Sequence, residues 1–188
     1  MRTKRLNRIP VIVLGLFIVF MVEGCSTYVK PTTPGGIAPV ITNSYLIERG
    51  RYGDVLKIYI EADDPDDDML KVAVLVEHTG FGRYSPDWVF LKSPYKGHFA
   101  GYLQWNTFSP NTGFLSEWTW ITIKVSVFDK TGRESNVVVF PFEFVSEVIK
   151  NPPLPAPFDQ GNLPKLGNVM INLYEPSRMG NANLWWND

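Results

Sequence analysis

Between about Val40 and Val148 apolar residues recur at every second position, the period of a strand that buries one face. Leu56, Ile58 and Ile60 alternate with Val55, Lys57, Tyr59 and Glu61. Leu70, Val72, Val74 and Val76 form a second inward set with Lys71 on the opposite face, and Ile121, Ile123, Val125 and Val127 a third against Thr122, Lys124 and Ser126. Val138, Phe140, Phe142 and Phe144 make a fourth. Pro141, on the other parity, has no N–H for a ladder and predicts an edge position. Asp129-Lys130-Thr131-Gly132 predicts a tight turn between the third and fourth sets. Trp118 and Trp120 fall out of phase with Ile121 onward, which predicts a bulge or a solvent-facing aromatic pair. No stretch keeps a helical period and no segment repeats. The pattern predicts an all-β chain built as a single antiparallel β-sandwich.

Outside that region the pattern changes twice. Arg2, Lys4, Arg5 and Arg8 precede Ile9–Val22, fourteen residues without a polar side chain, and Glu23-Gly24-Cys25 follows. A basic segment, a short apolar run and a small residue describe an export signal. A spanning helix needs about 20 apolar residues, so an uncleaved anchor is the weaker alternative. Cys25 is the only cysteine. Val22-Glu23-Gly24-Cys25 resembles the lipobox of bacterial lipoproteins, departing from it at Glu23, where a small residue is usual. The resemblance implies that Cys25 carries a diacylglycerol thioether and becomes the mature N-terminus, with acyl chains holding the protein on the membrane at about 0.8 kcal/mol per buried methylene. Ser26 rather than Asp after the cysteine implies sorting to the outer membrane, facing the periplasm or the cell surface, rather than retention at the inner one. Removing residues 1–24 leaves 14 basic and 18 acidic residues.

The expected organisation is a signal peptide over 1–24, a lipidated tether over 25–39, the sandwich over 40–149 and a Pro-rich C-terminal tail over 150–188. Ser26–Pro39 is rich in Pro, Thr and Gly and reaches at most about 45–50 Å when extended. The tail has strand-like residues at Val169–Tyr174 and bulky ones at Leu184-Trp185-Trp186. That content favours docking, on its own domain or as a strand on a partner's open edge, over disorder.

Two segments carry a second resemblance. Leu56–Leu70 (LKIYIEADDPDDDML) is similar to strand B, the acidic loop and strand C of bacterial immunoglobulin-like domains of the cadherin-like and polycystin-repeat-like branches. Ile121–Gly132 is similar to their strand F and F–G turn, and Val137–Phe144 to strand G. The likeness implies an immunoglobulin-like sandwich over about 110 residues, and in such a sandwich the chain enters and leaves at opposite ends. It implies little about activity, because this fold hosts many functions.

Composition narrows the function classes. Hydrophobic residues make up 45%, charged residues 20%, and the net charge is −1, which excludes a disordered chain and leaves no basic excess for nucleic acid. One cysteine cannot form an internal disulfide framework. The densest charge is Asp63, Asp64, Asp66, Asp67 and Asp68, just after Glu61. Clustered carboxylates repel one another unless solvated or bridged by a cation, and Ca²⁺ takes 6–8 oxygens at about 2.3–2.6 Å. The resemblance puts Asp129 at the same end of the sandwich as a further ligand. The competing reading is a solvated loop turned by Pro65. No other cofactor is implied.

Phe81–Trp120 holds twelve of the 26 aromatic residues. Most of these rings suit the core, while Trp88, Trp118 and Trp120 are candidates for a sugar-stacking platform, and Trp185 and Trp186 for partner contact. His78 and His98 belong to no metallohydrolase or serine-nucleophile motif, and nothing in the sequence brings Glu77 to Glu117 as an acid–base pair. The expectation is a lipid-anchored envelope protein without enzymatic activity, with a structural or accessory role and a protein partner. A carbohydrate- or surface-polymer-binding lipoprotein, or an accessory subunit of an envelope enzyme complex, is the alternative.

Overall fold

The computed structural model describes residues 36–80, 82–110, 119–150 and 152–173, all within one compact unit. Cys25, the apolar run Ile9–Val22, Trp118, Trp185 and Trp186 lie outside the described residues. Ten strands follow in chain order: β1 (Val40–Tyr45), β2 (Arg49–Gly50), β3 (Val55–Asp63), β4 (Met69–His78), β5 (Gly82–Arg83), β6 (Asp87–Phe90), β7 (His98–Asn106), β8 (Thr119–Asp129), β9 (Val138–Phe144) and β10 (Lys165–Val169). One turn of 3-10 helix, Ser93–Tyr95, is the sole helical element among the described residues, and no helix there is long and apolar enough to cross a membrane.

The strands form a four-stranded sheet, β1-β3-β7-β10, and a six-stranded sheet, β2-β9-β8-β4-β5, with β6 also on β4. β2 on β9 and β10 on β7 are parallel; the other pairs are antiparallel. β1, β3 and β7 against β4, β8 and β9 reproduce strands A, B and E facing C, F and G. The chain is an all-β, immunoglobulin-like sandwich.

The two-residue period places the inward sets of β3 and β8 as expected, while Tyr59 and Ser126 on the opposite parity are buried as well, Tyr59 against Phe158. Leu56, Ile58 and Ile60 and the set Ile121, Ile123, Val125 and Val127 are buried, each such side chain contributing about 1.5–3 kcal/mol relative to exposure. β4 differs at its start. The β4–β8 register shifts between Met69 and Lys71, so fully buried Met69 takes the core position expected for Leu70, which is half-buried. A bulge adds one residue to one strand and breaks strict alternation there.

Phe140, Phe142 and Phe144 of β9 are buried, and Val138 is half-buried against the core. The Glu143 and Val145 N–H groups donate to the Glu48 and Gly50 carbonyls, away from β8. By alternation the Pro141 nitrogen faces that same side, beyond the stretch that β2 covers. That is an edge position, as the missing donor requires. The turn after β8 is closed by Gly132 (φ +83°), whose N–H donates to the Asp129 carbonyl at 3.2 Å. β9 starts only at Val138, because Ser135 and Asn136 leave the ladder. The Asn136 amide accepts from the Ile41 N–H (2.8 Å) and donates to the Ile41 carbonyl (3.1 Å), plugging the free edge of β1 in the other sheet.

The segment beyond Ile149, expected as a Pro-rich tail that docks on its own domain or on a partner, packs on the sandwich over residues 152–173. It crosses the outer face of the four-stranded sheet, where buried Phe158 lies 5.6 Å from the Tyr59 ring. It then adds β10 beside β7, the place strand D holds in other immunoglobulin-like sandwiches, but parallel to its neighbour. Leu166, Val169, Ile171 and Leu173 are buried, and the Trp105 indole N–H donates to the Ile171 carbonyl at 2.9 Å. Gly101 permits the approach: a Cβ there would lie 2.7 Å from the Pro164 carbonyl oxygen and 2.9 Å from Leu166 Cγ. The outer side of this edge is closed as well, since the Met170 N–H donates to the Asp87 carboxylate at 2.7 Å. Among the described residues, buried side chains therefore continue beyond Ile149 to Leu173.

Candidate functional site

The acidic loop joins β3 to β4 at the end of the sandwich where β1 begins, Val40 pairing with Asp63. Asp64 organises it. Its N–H donates to the Gly97 carbonyl, its own carbonyl accepts the Asp67 N–H across a turn with Pro65 at the second position, and its carboxylate accepts the Asp66 and Asp68 N–H groups at 3.0 and 3.2 Å. Proline at that position pre-sets the turn. Asp67 takes the left-handed conformation (φ +54°), and its carboxylate lies against Gly97, where no Cβ would fit.

The carboxylates do not all converge. Asp63 pairs with His98 at 2.7 Å, with both side chains exposed, and Asp66 accepts the Ile37 N–H at 2.6 Å. Asp64, Asp68 and Asp129 are neighbours. Burial, a hydrogen bond with Asp64 and repulsion from Asp129 push the Asp68 carboxyl up, and its Oδ1 is buried without a partner. Burial also pushes Asp129 up, but the Arg133 N–H (2.8 Å), the Thr131 hydroxyl (2.8 Å) and the Arg133 guanidinium (3.3 Å) outweigh it and hold this carboxyl below its usual range. Both oxygens of Asp64 and both of Asp129 are engaged by the chain's own donors. Among the described residues no group of three or more His, Cys, Asp or Glu is arranged to hold a metal ion.

Of the candidate aromatic residues, Trp88 and Trp120 are described, and both stand on the outer face of the six-stranded sheet. Trp88 in β6 stands opposite Ala73 and is 40% exposed. The Lys71 ammonium lies 3.8 Å from its ring centroid, and the Phe128 ring meets it edge-on at 5.3 Å. Trp120 in β8 stands opposite Glu143 and is 47% exposed, the solvent-facing position its phase predicts. Ala73 pairs with Ser126, six residues along β8 from Trp120, or about 20 Å at strand rise. Trp88 and Trp120 therefore share a face but not one stacking platform. Sequence reasoning missed Phe90 and Lys71, although Trp88 and Phe90 flank buried Val89 with strand parity.

A groove of about 440 Å³ runs beside the β1–β2 crossover, with Tyr45, Arg49, Lys57 and Tyr59 on one side and Pro152 and Leu154 on the other. Arg49 is held by Glu143 at 2.9 Å and Glu147 at 3.1 Å. Elsewhere the titratable pairs are structural. Buried His78 faces the Tyr84 hydroxyl at 2.9 Å, and desolvation pulls its pKa down. Lys124 and then Arg83 pull the Glu77 carboxyl down, while Glu117 lies outside the described residues.

No family model and no curated protein matches the chain. Among solved structures it is similar to the PKD domain of M14-like peptidase from Thermoplasmatales archaeon SCGC AB-540-F20, at 13% identity and a TM-score of 0.40, covering 60% of this chain and all of that one. The strand order by itself identifies the domain as immunoglobulin-like.

Proposed function

We propose that the chain is a lipid-anchored envelope protein with a structural or accessory binding role, at the outer membrane, and with no catalysis of its own. The observation that carries the reading is the order of parts. A basic and apolar leader ends at Cys25, a Pro/Thr/Gly tether follows, and the compact body starts where the tether stops, with Ile37 bonded to Asp66 and β1 starting at Val40. Acyl chains fix the location, the tether sets the reach, and the sandwich presents the contact surface. Both edges of the four-stranded sheet are plugged by side chains, which favours contact through a face over addition of a partner strand.

Mass spectrometry of the natively produced protein tests the anchor. The expected N-terminal peptide starts at an acylated Cys25, and Cys25→Ala releases the protein from the membrane fraction. An intact Met1 with a free thiol overturns the reading.

A further inference from the structure

The two outer faces of the sandwich differ. The chain's own Phe158 segment covers part of the four-stranded sheet. On the six-stranded sheet Phe90 (64% exposed), Val139 (53%), Val137 (49%), Trp120 and Trp88 stand out to solvent. Strand pairing groups the first of these at one end of the face, where Phe90 and Phe128 flank Lys71 and Trp88 flanks Ala73, with Val139 beside Lys124 farther along. Exposed Phe90 and Trp88 grouped around Lys71 mark a contact site.

Charge selects the occupant. Five aspartates gather in the Asp63–Asp68 loop at the end of the sandwich, whereas the Phe90 end of this face carries Lys71 and Lys92. Lys124 and Arg83 share one carboxylate, Glu77, at 2.8 Å each, leaving one positive charge in excess. Arg49 is in turn shared by Glu143 and Glu147, which offsets that excess and leaves the balance to the unpaired lysines. Lys71 has no carboxylate partner among the described residues and lies over Trp88, and exposed Lys92 follows two residues after Phe90. A second copy packed here would bury Lys71 uncompensated, which is costly. A surface of anionic headgroups over hydrocarbon answers both features, since aromatic side chains settle at the headgroup boundary while lysine stems lie along it and ammonium groups meet phosphates.

We propose that the outer face of the six-stranded sheet rests on an anionic lipid surface, with Phe90 and Trp88 entering the headgroup boundary and Lys71 and Lys92 meeting lipid phosphates. This rests on the reading that the chain works at a membrane, and it adds that the folded body itself touches lipid. The tether's reach of about 45–50 Å lets the body lie flat beside its anchor.

The test uses residues 34–188, the compact unit, which lack Cys25 and therefore bind independently of acylation. The probes are vesicles of phosphatidylcholine alone and of phosphatidylcholine with one third phosphatidylglycerol. Co-sedimentation is expected only with phosphatidylglycerol and weakens with added salt, and brominated lipids quench tryptophan emission. Trp88→Ser with Phe90→Ser, and separately Lys71→Glu, each weaken binding by about five-fold or more, with melting temperatures near the parent's. Phe108→Ser, exposed beside Tyr52 and away from this face, leaves binding unchanged. No co-sedimentation, binding that ignores the face variants, or a dimer that those variants dissolve overturns the proposal. Acylation is decided separately by the Cys25 peptide, so either reading can fail alone.

Discussion

Truncating Leu173 tests whether the C-terminal segment is part of the core. Leu173 is fully buried, two residues beyond Ile171, whose carbonyl accepts the Trp105 indole. Leu173→Ala removes three buried carbons and leaves a cavity bounded by strands that cannot collapse fully. Such changes cost about 2–5 kcal/mol. Taking about 3 kcal/mol and a urea dependence of about 2 kcal/mol per molar, the unfolding midpoint falls by about 1.5 M with an unchanged slope. The corresponding drop in melting temperature is about 10 °C for a body of this size. Urea titration of residues 34–188, followed by tryptophan emission and by circular dichroism, reads both quantities. Met170→Ala is the control: this neighbour is 75% exposed and its loss changes stability by less than about 0.5 kcal/mol. A Leu173→Ala midpoint equal to that of Met170→Ala would refute the argument, because the segment would then hang outside the sandwich.

Asn136→Ala removes both bonds to Ile41 and opens the β1 edge. It is expected to cost about 1–3 kcal/mol and to promote concentration-dependent association, read by chemical denaturation and light scattering. The neighbours Asp68 and Asp129 should respond to pH with opposite signs. Asp129 is held low in the fold, so its stabilisation is present above the ordinary value of 3.8 and is lost as pH falls through its folded pKa; Asp129→Asn therefore destabilises at neutral pH and loses its effect in acid. Asp68 is held high, so its cost appears as pH rises from 3.8 through its folded pKa. Asp68→Asn raises the melting temperature at neutral pH, and the gain vanishes in acid. Thermal melts of the two variants across pH 3–8 check both directions, and equal signs would contradict the assignment. Gly101→Val, whose side chain would meet the Pro164 carbonyl and Leu166, should release β10 and expose the segment after Ile149 to protease.

The candidate sites were legible to different degrees. Exposed Trp120 is one of the two outcomes its phase allows, because alternation is local, and the pairing of β8 with β9 selects it over a bulge. The acidic loop is visible as a run of aspartates, yet their separate roles are not. Asp64 caps the turn, Asp63 meets His98 from β7, and Asp129 is claimed by Thr131 and Arg133, partners that depend on how strands dock. Phe90 and Lys71 become one surface only when β6 pairs with β4.

By itself the sequence determined which side chains of β3, β8 and β9 turn inward, where the turn at Gly132 falls, and that a basic segment, an apolar run and a single cysteine precede a stretch rich in Pro, Thr and Gly. Each of these is a short-range property: strand alternation, the left-handed freedom of glycine, the length of an apolar run. Tertiary structure alone decided that Met69 displaces Leu70, that Asn136 and Asp87 plug the sheet edges, and that residues 165–169 dock beside β7 rather than on a partner. Those outcomes rest on contacts between residues roughly sixty or more positions apart. Their free energy exists only once the two sheets have met, so no local pattern of residues encodes them.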